Sequence, residues 1–162
     1  VPFREPLQHA TSLLRQHQRF LQLHRSDRFA RRYMAGIGHH DFGDHLKPID
    51  FTGEQAGFTL HAADSLAFWL DYWVRAYRHL LAIDHERLLL LGFEALGAAR
   101  TLRSLAAGIG IAADELDRHI DLLRPAPAHA VAAEHLPRTL VDEARALYEQ
   151  LSRRCILQCV NA

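Results

Sequence analysis

The sequence lacks several features that mark particular classes of protein. Only two of its 162 residues are cysteines, Cys155 and Cys159, too few for a disulfide framework or, by themselves, for a four-ligand zinc site. No apolar run approaches the roughly 20 residues that a membrane-spanning helix needs. No basic segment followed by an apolar one is present to act as a signal peptide. These absences predict a protein of the reducing cytoplasm with no membrane span.

An excess of charge of either sign is also missing. Nineteen Lys and Arg residues balance nineteen Asp and Glu residues, and Lys47 is the single lysine. A large cationic field is therefore absent, which argues against a dedicated nucleic-acid or membrane-surface binder. The 162 residues, 49% of them hydrophobic and 23% charged, are typical of one globular domain.

The hydrophobic pattern predicts helices with two short strands. The apolar residues 1–3 fit the end of a strand, and the continuous apolar run 88–91 fits a strand buried on both faces, as in a parallel sheet. Residues 39–62 resemble a long loop, which in a compact domain is usually functional or mobile. Helices are predicted over 6–24, from a cap at Asp27 to Gly36, after a cap at Asp64, and near 98–108, 113–123 and 137–154.

Two strands make a poor parallel sheet by themselves, and the sequence opens at Val1, inside a predicted strand. We therefore expect residues 1–162 to be a single partial domain, the carboxy-terminal part of a larger α/β domain. Its expected parts are a strand–helix unit over 1–24, a loop and helical region over 25–86, and a strand–helix unit with the last helices over 87–162.

The candidate binding residues begin where the first strand ends. Arg4 follows that strand at its carboxyl end, where open α/β sheets bind ligands. Ser12 falls in the opening turns of the next helix, near its positive end. A guanidinium and a hydroxyl placed there can share one phosphate. The spacing alone is a weak pattern, because an ordinary strand-end arginine and a solvated serine satisfy it as well.

The stretch VPFREP at 1–6, followed by SLLRQH at 12–17, resembles part of the P-loop-type sulfotransferase family. In that family a strand ends in Arg, an acidic or amide residue, and Pro, and a Ser follows eight positions after the Arg. The segment RLLLLGFEAL at 87–96 resembles the family's strand with its Tyr-Glu-Asp-Leu sequence. Residues 29–34 with 39–43 are similar to bacterial members, and 101–111 resemble the family's following helix and turn.

The resemblance implies a three-layer P-loop-type fold with a parallel sheet. It implies that Arg4 and Ser12 hold the 3′-phosphate of the co-substrate 3′-phosphoadenosine 5′-phosphosulfate and that Phe93 stacks on its adenine. Phe93 replaces the family's Tyr and lacks the hydroxyl, and Ala95 replaces its Asp. The intact enzyme would transfer a sulfuryl group to a hydroxyl or amine of a small-molecule or glycan acceptor.

The family's 5′-phosphosulfate loop and the segment that usually carries its catalytic base would precede Arg4, so the catalytic residues are unknown. We expect this chain alone to be inactive. Two other functions stay open. One is a non-catalytic, sulfotransferase-like helical module that binds a protein partner. The other is another P-loop transferase, such as a small-molecule kinase, which needs a Walker-type lysine loop upstream.

Other conspicuous residues have structural explanations. His17 and His24 fall on the apolar side of the first helix, as histidines at a core margin do. Glu94 follows a buried strand, where it can bind backbone amides. The aromatic residues of the helix after Asp64 repeat at helical spacing, which favours packing over an acceptor-binding wall. Five residues that can bind metal ions lie close together in the predicted loop, but their spacing matches no standard set of ligands. We therefore expect no metal site at His39, His40, Asp41, Asp44 and His45.

Overall fold

A computed structural model describes residues 1–51, 61–83, 85, 88–96, 98–112, 115 and 135–155. Its strands are β1 (Pro2–Phe3) and β2 (Leu91–Gly92). Its helices are α1 (Pro6–Ser26), α2 (Arg28–Gly36), α3 (Leu66–Ala82), α4 (Ala99–Ile109) and α5 (Arg138–Arg153), with 3₁₀ turns at Gly43–His45 and Phe93–Ala95.

The two strands pair in parallel, with Pro2 opposite Leu91 and Phe3 opposite Gly92. The predicted helical chain with a small parallel sheet is therefore confirmed at this coarse level, and the three-layer fold stays a prediction. The second strand begins later than the predicted 88–91, because the register pairs Pro2 with Leu91 and Phe3 with Gly92. Just before this pair, the Val1 amino group donates to the Leu89 carbonyl at 2.6 Å, and the Leu91 amide donates to the Val1 carbonyl at 3.1 Å.

The core lies between α1, α3 and α5 and extends to the two strands. From α3, six side chains are buried, including Trp69 and Trp73. From α5 the buried side chains are Leu140, Val141, Ala144, Leu147 and Leu151. The Tyr77 hydroxyl donates to the Pro2 carbonyl at 2.9 Å and so ties α3 to β1. Packing was the expected role of the α3 aromatic residues, and the structure confirms it.

Side-chain caps explain where α1, α2 and α3 begin. The Glu5 carboxylate accepts from the Gln8 amide at 2.7 Å, and Asp27 accepts from the amides of the second and third residues of α2. The predicted cap at Asp64 is wrong by one residue. Ser65 is the residue with extended backbone, and its hydroxyl accepts from the Phe68 amide at 3.2 Å.

Most of the predicted helix at 113–123 lies outside the described residues, as does Cys159. Cys155 is a free, buried thiol just past α5. The described helices include none that is both long and apolar enough to cross a membrane. The division into parts over 1–24, 25–86 and 87–162 stays a prediction.

Candidate functional site

Both strands of the parallel sheet end at the same edge, and a candidate residue follows each strand directly. Arg4 follows β1, and Phe93 follows β2 as the first residue of a 3₁₀ turn. The Arg4 guanidinium carbon lies 5.5 Å from the centroid of the Phe93 ring, within the range of a cation–π contact. We call the group formed by Arg4, Glu5, Gln8, Phe93 and Glu94 the strand-end corner.

The first turns of α1 supply further polar groups beside Arg4. The Arg4 guanidinium donates to the Gln8 side-chain oxygen at 3.2 Å. Ser12 lies four residues beyond Gln8, so the two share one face of α1. Ser12 is exposed, and the structure brings Arg4 and Phe93 together without recording a contact between Arg4 and Ser12.

The carboxylates of the corner bind donors other than Arg4. Glu94 accepts from the Glu5 backbone amide at 2.9 Å and from the Tyr148 hydroxyl at 3.4 Å. This confirms the structural role expected for Glu94. Glu5 is occupied as the cap of α1. Within the described ranges no carboxylate forms an ion pair with Arg4, so its charge is available to an anion.

Two titratable groups next to the corner are held in their neutral forms. Burial lowers the pKa of His9, the positive charge of Arg4 lowers it further, and Glu94 opposes both effects. Burial, followed by the charge of Glu94 and its hydrogen bond, raises the pKa of Tyr148 to about 12. Both shifts favour the neutral form of the group concerned.

The histidines of α1 hold the loop after α2. His17 Nδ1 accepts from the Gly43 amide at 3.1 Å, and His24 Nδ1 accepts from the Asp44 amide at 3.2 Å. Both rings are buried, at 4% and 3% exposure, so the expectation of core-margin histidines is confirmed. Each Nδ1 atom must be unprotonated to accept these bonds.

The polar residues of this loop make structural contacts. Asp44 pairs with Arg31 at 3.2 Å, and His40 Nδ1 lies 3.2 Å from the His45 carbonyl. Over the described part of the chain, no three His, Cys, Asp or Glu side chains are grouped to hold a metal ion.

A cavity of about 320 Å³ lies between α3 and α5, away from the strand-end corner. Its two arginines are already paired, Arg75 with Asp71 at 3.1 Å and Arg78 with Glu143. The charge of each guanidinium is thus largely neutralised. Arg4, Ser12 and Phe93 do not line this cavity.

The sequence did not identify two residues, Gln8 in the corner and Tyr148 beside it. Gln8 stands four positions after Arg4, and this spacing could have identified it as a partner. Tyr148 lies 54 residues from Glu94 and carries no local signal of their contact. No protein-family model, curated protein or solved structure matches the chain. The resemblance to sulfotransferases therefore rests only on the sequence motifs described above.

Proposed function

We propose that the strand-end corner binds the 3′-phosphate and adenine of a nucleotide, and that this chain is part of a cytoplasmic sulfotransferase. The co-substrate would be 3′-phosphoadenosine 5′-phosphosulfate, and the acceptor a hydroxyl or amine of a small molecule or glycan. The observation that carries the proposal is the contact between Arg4 and Phe93 at the carboxyl edge of a parallel sheet.

An adenine nucleotide needs a cation and a flat apolar surface close together, and this corner supplies both. Arg4 has five N–H donors, and the bond to Gln8 uses one of them. The others can form a charge-assisted pair of bonds with a phosphate. Phe93, which is half-buried beside Arg4, offers its ring for stacking on the base.

Other groups in and beside the corner determine its expected affinity for a nucleotide. The amino-terminal end of α1 adds positive potential, and the Ser12 hydroxyl adds a neutral donor on the face that Gln8 shares. Glu5 and Glu94 place two negative charges nearby, although both bind backbone amides. We therefore expect modest affinity that falls with added salt.

In sulfuryl transfer the acceptor oxygen or nitrogen forms a bond to sulfur while the bond from sulfur to the bisphosphate breaks, and the acceptor proton passes to a base. Arg4 and Ser12 would bind a phosphate that does not react. That binding is shared by the ground and transition states, so it lowers the KM for the donor rather than raising kcat. The base and the acceptor site are not assigned to residues of this chain.

Titration of the 162-residue chain with adenosine 3′,5′-bisphosphate tests the proposal. We expect the Arg4→Gln variant to bind at least about tenfold more weakly, since a charge-assisted bond contributes about 1.5–3 kcal/mol. The matched control is Arg19→Gln, an exposed arginine farther along α1. Equal affinities of the wild-type chain and the Arg4 variant would refute the assignment.

A parallel titration with ATP separates the proposal from the kinase alternative. A chain that prefers ATP to the 3′,5′-bisphosphate fits a kinase and contradicts a sulfotransferase. A chain that binds neither nucleotide fits the non-catalytic alternative. Circular dichroism of each variant checks that the helices are retained.

A further inference from the structure

The outer face of α2 is apolar and unpartnered within the described structure. Phe29, Tyr33 and Ile37 are 76%, 53% and 57% exposed, and their spacing of four residues places them in one stripe. The rings of Phe29 and Tyr33 stack with their centroids 5.9 Å apart. No residue of α2 is buried. Contiguous apolar surface of this kind marks an interaction site more often than scattered single residues do.

Positive charge borders this stripe. Arg28 and Arg32 are exposed, and among the described residues neither forms an ion pair with a carboxylate. Arg31 turns to the other side of the helix, where Asp44 pairs with it at 3.2 Å. Asp27 is occupied by the amides at the start of α2. The stripe with Arg28 and Arg32, called here the α2 face, therefore combines exposed aromatic rings with unneutralised cations.

We propose that the α2 face docks an acidic amphipathic helix of a protein partner. Apolar side chains of the partner would cover Phe29 and Tyr33, and its carboxylates would meet Arg28 and Arg32. Buried aromatic side chains with arginines beside them are the residue types that carry most of the energy in protein interfaces. The proposal does not depend on nucleotide binding at the strand-end corner.

Charge and size favour this occupant over two others. A second copy that packed its α2 face against this one would bring arginines against arginines, which is repulsive. Membrane-surface helices insert a large apolar face and gain from a cationic field. Here the stripe has three large side chains, and the whole chain has no net charge.

The test uses a synthetic amphipathic peptide of about 18 residues, long enough to form a helix, with leucine on one face and glutamate elsewhere. Its control is the same peptide with lysine in place of glutamate. We expect the acidic peptide to bind the full chain at least about tenfold more tightly than the basic one. Phe29→Ser/Tyr33→Ser and Arg28→Glu/Arg32→Glu should each weaken that binding about tenfold or more.

The matched control is Arg100→Glu/Arg103→Glu, two exposed arginines on α4, which should leave binding unchanged. Equal binding of the acidic and basic peptides would overturn the proposal, as would no binding of either. If the acidic peptide fails to bind, two further measurements identify the occupant. Sedimentation of the chain with anionic vesicles would indicate a membrane surface, and concentration-dependent dimerisation that the Phe29/Tyr33 variant removes would indicate a second copy. Either result would overturn the proposal. Circular dichroism and the thermal midpoint check that each variant stays folded.

Discussion

The Arg4 guanidinium lies 5.5 Å from the centre of the Phe93 ring, although the two residues are far apart in the sequence. Strand pairing brings them together. Phe3 lies opposite Gly92 in the parallel register, so the residues that follow the two strands meet at one edge. The juxtaposition is therefore a product of tertiary structure and depends on the sheet being formed.

If adenine stacks on Phe93, replacing the ring should weaken nucleotide binding. We expect Phe93→Leu to lower the affinity for adenosine 3′,5′-bisphosphate about tenfold, because stacking of a base on an aromatic side chain contributes about 1–3 kcal/mol. Phe93→Tyr should retain the affinity, since the ring is kept. Titration calorimetry makes the measurement, with the exposed Phe29→Leu as control. If the leucine variant binds the nucleotide as tightly as the wild-type chain, Phe93 does not stack on the adenine.

Gly43 should tolerate a side chain far less well than Gly38. The two glycines have nearly the same backbone, with φ of +76° and +71°. A Cβ on Gly43 would lie 2.6 Å from His24 Cε1, whereas a Cβ on Gly38 would meet nothing within 4 Å. Since the backbone cost is common to both, we expect Gly43→Ala to lower the free energy of unfolding by about 1–3 kcal/mol more than Gly38→Ala does. Urea unfolding measures the difference, and equal losses would contradict the described packing.

Acid should destabilise the protein in part through His17. Burial lowers the pKa of His17 below its usual 6.5, with Asp64 and Asp44 opposing this effect. The unfolded chain then binds a proton that the folded chain does not. Stability is therefore full above the unfolded pKa and is lost as the pH falls below it towards the lowered folded pKa.

His17→Asn tests this contribution, because its side-chain oxygen can still accept from the Gly43 amide. We expect the free energy of unfolding of this variant to depend less steeply on pH below about 6.5, by up to about 1.4 kcal/mol per pH unit. The control is Gln18→Asn, an exposed change on α1 that removes no titratable group and should leave the slope unchanged. An unaltered slope in the His17 variant would mean that this residue titrates alike in both states.

Glu94 should contribute stability through its two hydrogen bonds. We expect Glu94→Ala to lower the free energy of unfolding by about 1–2 kcal/mol, because the Glu5 amide and the Tyr148 hydroxyl both lose an acceptor. Glu94→Gln keeps a side-chain oxygen and should lose less. Chemical unfolding measures both, with exposed Glu149→Ala on α5 as the control. A Glu94→Ala variant as stable as that control would show that the two hydrogen bonds do not contribute to the free energy of unfolding.

Features encoded locally could be predicted from the sequence. Pro6 indicated the start of α1 and Asp27 indicated the cap of α2, because proline suits the first helical position and an Asp at the cap binds amides within a few residues. The continuous apolar run before Gly92 indicated a strand of a parallel sheet, since a strand buried on both faces carries no alternation. Arg4 was placed at the end of β1 because the apolar residues 1–3 precede it.

Features that depend on distant contacts could not be predicted. The contact of Glu94 with Tyr148 joins residues far apart in sequence, and periodicity does not encode such a pair. His17 and His24 accept from the amides of Gly43 and Asp44, which lie in a loop. The path of this loop depends on tertiary contacts, so the sequence pattern did not indicate these bonds. The start of β2 was misplaced because hydrophobicity marks the whole apolar run 88–91, whereas the strand register pairs only Leu91 and Gly92 with β1.

The most direct test of the nucleotide site compares adenosine 3′,5′-bisphosphate with adenosine 5′-monophosphate on the wild-type chain and on Arg4→Gln. If Arg4 holds the 3′-phosphate, the wild-type chain binds the bisphosphate at least about tenfold more tightly than the monophosphate, and the variant binds both nearly equally. If the preference for the bisphosphate is the same in both proteins, Arg4 does not contact the 3′-phosphate and the proposed site is wrong.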